Sequence, residues 1–536
     1  MPAPTSSRRD WLLLVAPCLL LLLLAGLRPL AVPDEGRYGD VSRWMLVSGD
    51  WLIPRLDGLP FFHKPPLTHW FQAASMGLLG VSPWAVRVPG VLLASLMVAA
   101  THVAVRQMAG VTLAQRAAWM LGTGGGFLAG GQYVNHDMGV AAWIACSVWC
   151  FALALWREDR PHAGWARAGF AACALGLLTK GLIGVVLPAL VIGAWIAWTR
   201  RWRLLARLPW VTGLTLFGAL ALPWFWLAGE RYPGLWRYLF GVQQFARYTS
   251  NHFNNPQPWW FYLAACLLLM FPWAFWAIGE GWARLREVIR RGGETHATDA
   301  HAHPHALATL CWIWLGAILL FFSVPRSKLI GYALPLLPPL AVLAALGWER
   351  WMVQRRPQRI WFAVSTMVAV ALPVTLTVMA PRVDPGDRAD DVATVLACRA
   401  ASSDEIYVVG GYPQDLAFMA QTQKPLRVVQ DWARRRSATE DNWARELLDA
   451  GAFEPAAATR VLLTPAQLAP ARHQPDAWLL APTELEDDDA RALVEGWRLV
   501  HRGRAWTLYH SPVAVASNPE QTLPGCTSRS KTPRNR

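Results

Sequence analysis

Charge is scarce in this sequence. Asp, Glu, Lys and Arg make up 16% of its 536 residues, against roughly a quarter in ordinary soluble proteins. A chain this apolar is not disordered, collagenous or a secreted disulfide scaffold. Cysteine is also sparse, at eight residues. Cys18, Cys146, Cys150, Cys173, Cys266 and Cys311 fall inside apolar blocks and read as small hydrophobes. Cys398 and Cys526 lie outside them and could pair in an exported segment. There is no phosphate loop: Gly122–Gly126 (GTGGG) is not followed by Gly-Lys-Ser/Thr. Inside a helix such a run reads as close packing. No solenoid-type repeat is present.

Long apolar blocks fill the space that charge leaves. Hydrophobic residues reach 54%, with 32 tryptophans. A span needs about 20 apolar residues to cross roughly 30 Å of hydrocarbon, so eleven spans would take about 220 residues. The first block, Trp11 to Val32, follows Arg8 and Arg9 and has no small-residue cleavage site after it. It therefore reads as an uncleaved helix with a cytoplasmic N-terminus. Ten further blocks run Val88–Val105, Ala117–Val134, Met138–Trp156, Ala168–Leu178, Ile183–Trp198, Val211–Leu227, Trp259–Ile278, Leu307–Val324, Tyr332–Leu346 and Ile360–Ala380.

The net charge of +14 does not indicate nucleic acid, because much of the excess lies in short loops between these blocks. Arg106/Arg116, Arg157/Arg160/Arg167, Arg200/Arg201/Arg203/Arg207, Arg284/Arg286/Arg290/Arg291 and Arg350/Arg355/Arg356 belong inside by the positive-inside bias. The alternate connections, Pro33–Arg87, Asn135–Asp137, Thr179–Gly181, Gly229–Pro258 and Pro325–Gly331, then face outward, and an odd helix count puts everything after Pro381 outside as well. Residues 1–380 read as the membrane domain and 381–512 as a small α/β domain. Asp404–Gly410, Pro425–Val429 and Thr459–Leu463 read as strands. Asp390–Ala401, Asp415–Ala420 and Asp441–Ala450 read as helical pieces, and Trp497–His501 with Ala505–Tyr509 as a hairpin. Residues 513–536 have the composition of a disordered tail.

The outer segments carry the chemistry. Pro33–Val41 (PDEGRYGDV) places Asp34 and Glu35 at the membrane–water boundary, where a carboxylate can act as a general base or bind a cation. Arg37 and Lys64 suit a phosphate, one by its fork and the other as a point charge. Asn135-His136-Asp137, Lys180 in Leu178–Gly181 (LTKG), Tyr248–His252 before Pro256–Tyr262 (PQPWWFY), and Pro325–Lys328 before Tyr332 fall on the same side. Ionisable residues at membrane depth are costly and point to function, although Lys180 or Lys328 can also snorkel. His296, His301, His303 and His305 lie on the inner side, in a Gly/Ala/His stretch with the composition of a linker.

These residues carry a resemblance. Asp34–Tyr38 (DEGRY), Ser48–Arg55 (SGDWLIPR), His63–Leu67 (HKPPL), LTKG, the Pro256–Tyr262 run and Ser327–Pro339 (SKLIGYALPLLPP) together resemble the ArnT-like bacterial glycosyltransferases of the protein O-mannosyltransferase superfamily. The resemblance covers roughly Trp11 to Trp348. It implies the GT-C fold: a mainly α, polytopic membrane protein of about 11–13 transmembrane helices, with amphipathic juxtamembrane helices in the first outer loop and a C-terminal periplasmic α/β domain. It implies an inner-membrane enzyme that moves a sugar from a polyprenyl-phosphate carrier to a periplasmic acceptor, with inversion. The acceptor would be lipid A, receiving 4-amino-4-deoxy-L-arabinose, or a related envelope glycan or protein. Asp34 would be the base, with Asp137 the other candidate. Glu35, Arg37, Tyr38, Lys64, Lys180, Lys328 and Tyr332 would bind substrate, the cations holding the lipid phosphate and Tyr332 orienting it. His63 stands where many members have Glu. With a later histidine matching His252, it would hold a divalent metal, and two histidines suit zinc. A transporter or lipid-linked sugar flippase would also place ionisable residues among helices. However, the charged motifs gather on one side and no matched halves are visible, which favours an interfacial enzyme.

Overall fold

A computed structural model describes residues 8–156, 160–246, 255–290, 303–383, 387–437, 442–485 and 488–513. The chain forms two compact units, each assembled from separate stretches.

The first unit joins Met1–Arg28, Phe62–Ser75 and Pro83–Val383. Helix occurs in every one of the eleven apolar blocks, but fewer than eleven helices are uninterrupted spans. Among the described residues six helices are long and apolar enough to cross a membrane: Pro83–Ala109, Asp137–Leu155, Trp210–Arg231, His305–Ser323, Ile330–Met352 and Gln358–Met379. A bent pair, Phe261–Leu269 with Ala274–Glu287, would make a seventh, while Val15–Leu24 and Ile183–Thr199 are shorter apolar helices. The interruptions have local causes. Pro272 sits at the 119° bend, where its ring removes a backbone donor and clashes with the preceding turn. Extended backbone at Gly124 divides the Ala117–Val134 block between helices Val111–Thr123 and Gly125–Gly130. The glycines beside that break do serve close packing: a Cβ on Gly122 would lie 2.8 Å from Pro17 and one on Gly126 2.8 Å from Leu337.

Indole groups fill much of this unit's core. Trp149, Trp195, Trp273 and Trp314 are all fully buried. Trp149 donates its Nε1–H to Thr101 Oγ1 (3.1 Å) and Trp273 to Thr123 Oγ1 (3.0 Å). These bonds satisfy the one polar atom that a buried indole brings with it. Arg350 joins the Ala274–Arg290 and Leu337–Met352 helices by reaching Glu280 (2.9 Å) and Glu287. His296 and His301 lie outside the described residues, while His303 and His305 open a helix rather than a linker.

The second unit joins Pro29–Phe61, Met76–Ser82 and Asp384–Arg536. Its first stretch forms a helix, Asp34–Ser48, closed by Gly49 in the left-handed conformation. A minimal hairpin of β1 (Arg55–Leu56) and β2 (Leu59–Pro60) follows. Asp57 and Gly58 form its two-residue turn, both with positive φ, as such turns require. The C-terminal stretch builds a six-stranded mixed sheet from β3 (Glu405–Val409), β4 (Arg427–Val429), β5 (Leu462–Leu463), β6 (Ala477–Pro482), β7 (Arg498–Arg502) and β8 (Trp506–His510). Their order is β5-β4-β3-β6-β8-β7, with β7 and β8 antiparallel. Thr459–Val461, expected as strand, belongs to the Pro455–Val461 helix, so that β5 has two residues. The central β6 was not expected: its AWLLAP run has no period-2 polar alternation, because it is buried along nearly its whole length.

The Asp34–Ser48 helix is packed tightly within this unit. A Cβ on Gly36 would come within 2.8 Å of the Gln414 backbone. Arg43, 1% exposed, pairs with Asp40 (2.7 Å) and donates to the Thr422 carbonyl (2.6 Å). Asp57 accepts from the Leu426 N–H (2.8 Å). Burial raises the pKa of Asp57 well above the carboxylate range, and raises that of Asp40 against the pull of Arg43. Cys398 is held in a disulfide; Cys526 and the tail beyond residue 513 lie outside the described residues.

Candidate functional site

In the first unit, helix ends bring sequence-distant motifs together. Asp137 opens the Asp137–Leu155 helix and Lys180 closes the Ala163–Lys180 helix. An anion at a helix N-terminus and a cation at a C-terminus are each in their favourable place. The two side chains form an ion pair, Lys180 Nζ to Asp137 Oδ1, and are only 10% and 11% exposed. Asn135 completes the carboxylate's surroundings. Its Nδ2 donates to Asp137 Oδ2 (3.1 Å), and its Oδ1 accepts from the Asp137 N–H (2.8 Å). The Lys180 ammonium also sits 4.4 Å from the centre of the Tyr332 ring, a cation–π contact. Tyr332 in turn stacks on Phe322 at 5.1 Å. Next to it, Gly331 leaves room that only glycine allows, since a Cβ there would lie 2.1 Å from Asp137 Oδ2.

Three more candidate residues belong to this unit. Lys328, 4% exposed, donates from Nζ to the carbonyls of Pro325 (2.6 Å) and Gln257 (3.1 Å). Its backbone N–H reaches Asn255 O (3.1 Å), beside the Pro256–Ser327 bridge. The PQPWWFY and SKLIGY motifs are thus in direct contact. Desolvation lowers the Lys328 pKa. Lys64 donates to the His63 carbonyl (3.0 Å), and the His63 ring lies 6.0 Å from that of Tyr238. Sequence reasoning missed His69: its ring meets that of His136 edge-on at 5.0 Å, and both are buried. A histidine two residues after Pro-Pro-Leu gives no local signal of such a pairing.

The second unit carries the DEGRY residues. Arg37 bridges two carboxylates, Asp34 Oδ1 at 2.5 Å and Glu446 Oε1. The Asp34 side chain is 39% exposed, whereas Arg37 and Glu446 are 11% and 8% exposed. Glu35 is fully buried and its carboxylate accepts from the Ala31 N–H (2.7 Å). Tyr38 lies under the Arg37 guanidinium (4.6 Å) and against Phe61. Glu446 had no sequence signal, because nothing in its own helix, Trp443–Phe453, points to a partner about four hundred residues away.

His252 lies outside the described residues. Among those described, no group of three His, Cys, Asp or Glu side chains is placed to hold a metal ion, and the ring beside His63 is the phenol of Tyr238. The expected pairing of His63 with His252 for a metal therefore lies partly outside the described residues.

Residues 12–239 match the family of dolichyl-phosphate-mannose-protein mannosyltransferases. An undecaprenyl phosphate-alpha-4-amino-4-deoxy-L-arabinose arabinosyl transferase of Pseudomonas fluorescens is 32% identical over 387 residues, covering 69% of this chain and 62% of its own. Its counterpart in Pseudomonas aeruginosa is 31% identical, covering 63% and 59%. The chain thus spans about three fifths of the length of these curated relatives. The crystal structure of ArnT from Cupriavidus metallidurans bound to undecaprenyl phosphate superposes with a TM-score of 0.75 at 23% identity, over 95% of this chain and 99% of that one. The chain has the fold of that protein, the GT-C fold. It is a multi-span membrane protein with a C-terminal sheet domain. The archaeal oligosaccharyltransferase AglB from Archaeoglobus fulgidus is more distant, at 12% identity and a TM-score of 0.50.

Proposed function

We propose that this chain is an inner-membrane glycosyltransferase that moves 4-amino-4-deoxy-L-arabinose from a polyprenyl-phosphate carrier to lipid A on the periplasmic side. The observation that carries this reading is the similarity, across 69% of the chain, to transferases named for that sugar and carrier. The meeting of Asp137, Lys180 and Tyr332 from three separate motifs supports it.

The chemistry assigned to each group follows from its surroundings. Asp34 takes the acceptor's proton; its side chain is the more exposed of the two candidate bases and so within a substrate's reach. Asp34 shares its one cation, Arg37, with Glu446, whereas the charge of Asp137 is matched one to one by Lys180, which suits a fixed electrostatic element more than a base. The acceptor oxygen attacks the anomeric carbon from the face opposite the lipid phosphate, whose bond to the sugar breaks with inversion. The cations read as phosphate ligands, Lys64 and Lys328 in the first unit and Arg37 in the second, are each suited to balance charge that develops on a leaving phosphate. Tyr332 orients that phosphate through its hydroxyl. The energy of the glycosyl phosphate bond drives transfer without a nucleotide.

The reading is tested by mass spectrometry of lipid A and envelope glycans from cells with and without the gene. Lipid A carrying the amino sugar only when the gene is present is the expected result. A new sugar on a glycan or protein, with lipid A unchanged, would reassign the acceptor. No difference in any envelope fraction would contradict the proposal.

A further inference from the structure

We propose that Glu446 competes with the donor's phosphate for the Arg37 guanidinium and so sets how tightly that phosphate is held. This rests on the reading of Arg37 as a phosphate ligand. All three groups concerned belong to the second unit. Arg37 gives one terminal nitrogen to Glu446 and the other to Asp34. Two carboxylates share one cation, leaving an excess negative charge in a largely buried setting.

The pairing is also incomplete. Arg37 Nε and Glu446 Oε2 are both buried and neither has a hydrogen-bond partner among the described residues. Arg–carboxylate pairs are frequently bidentate, which leaves fewer such atoms, and each orphaned buried polar atom is a cost to the fold. Glu446 thus holds the guanidinium at one point, and the idle Nε–H is a donor that a phosphate oxygen can use. The Nε–H shares an edge of the fork with the nitrogen held by Asp34, so a phosphate on that edge displaces Asp34, whereas one on the edge between the two terminal nitrogens must displace Glu446. Asp34 is the base of the proposed reaction, so Glu446 is the one to yield. Its position favours that role: it lies in the first turn of its helix, whose N-cap Asn442 already accepts from the Ala444 and Arg445 N–H groups. The helix start therefore does not depend on the Glu446 side chain.

The test is titration of the purified full chain with undecaprenyl phosphate, comparing wild type, Glu446→Gln and Arg37→Ala at matched thermal stability. Glu446→Gln keeps the shape and a weaker acceptor but removes the competing charge. It should bind roughly tenfold tighter, the size of one charge-assisted hydrogen bond no longer broken on binding. Arg37→Ala should bind more weakly than wild type. Glu446→Asp, one methylene shorter, should also tighten binding, by a smaller factor, and it provides the reading if Glu446→Gln is not recovered folded. Unchanged or weaker binding by the folded Glu446 variants, with Arg37→Ala still impaired, would overturn the competition and leave Arg37 as a phosphate ligand. Wild-type binding by Arg37→Ala would overturn the assignment of Arg37 itself, and this proposal with it. A residue with a purely structural role would not tighten binding.

Discussion

Removing Lys180 tests the described part of the site most searchingly. In Lys180→Met the Asp137 carboxylate keeps Asn135 but loses its cation, at 11% side-chain exposure. Stranding one member of a buried pair costs about 3–5 kcal/mol. The reverse change, Asp137→Asn, removes the ammonium's carboxylate instead, but the Tyr332 ring at 4.4 Å remains. A desolvated cation–π contact is worth about 2 kcal/mol, so Asp137→Asn should cost less than Lys180→Met by roughly that amount. The double variant leaves no unpaired charge, and its loss should fall short of the sum of the singles by about 2–3 kcal/mol. The assay is the temperature at which purified protein in detergent loses its monodisperse fraction, measured for all four proteins. Strictly additive losses would refute the argument, because they would mean that the pair carries no coupling. A larger loss for Asp137→Asn than for Lys180→Met would refute the part given to Tyr332.

Other consequences follow from the same geometry. Asp34→Asn should abolish sugar transfer, measured with purified protein and lipid-linked donor, without changing thermal stability; undiminished transfer would remove Asp34 from the role of base. Gly331→Ala should cut transfer at least tenfold, since the new methyl falls 2.1 Å from Asp137 Oδ2 and must push it off Lys180; wild-type turnover would show that the Asp137 position does not matter. In the second unit, burial raises the Asp415 pKa to about 6, against hydrogen bonds from the Ala389 N–H that favour the ionised form. The folded state thus disfavours the charged carboxylate. Its stability contribution is complete below the unfolded value near 4 and is lost as pH rises to about 6, a change of about 3 kcal/mol. Asp415→Asn keeps an acceptor for Ala389 and should flatten this slope; parallel unfolding profiles of the two proteins between pH 4 and 7 would contradict it.

The parts of this molecule differ in how far they can be read from sequence. Apolar run length located helix in all eleven blocks, because hydrocarbon burial is a property of composition. It did not show which blocks stay straight: Gly124 and Pro272 interrupt runs that hydropathy alone treats as continuous. The charge pattern singled out Asp137 and Lys180, since an ionisable group at membrane depth needs a partner, and the resemblance pointed to Tyr332; the fold brings the three into contact. What the sequence hid is tertiary. Glu446 pairs with Arg37 and His69 with His136 across gaps that no periodicity encodes. Likewise Pro29–Phe61 forms one compact unit with the C-terminal stretch, though the sequence between them is mostly membrane-spanning.

The most direct test of the account is transfer in a defined system. The purified chain is reconstituted in liposomes with undecaprenyl-phosphate-linked 4-amino-4-deoxy-L-arabinose and lipid A, and the lipid A is then weighed by mass spectrometry. The account predicts lipid A heavier by one amino-sugar residue, with undecaprenyl phosphate released in equal amount. Unmodified lipid A with the donor left intact, from protein that is folded and binds undecaprenyl phosphate, would contradict it.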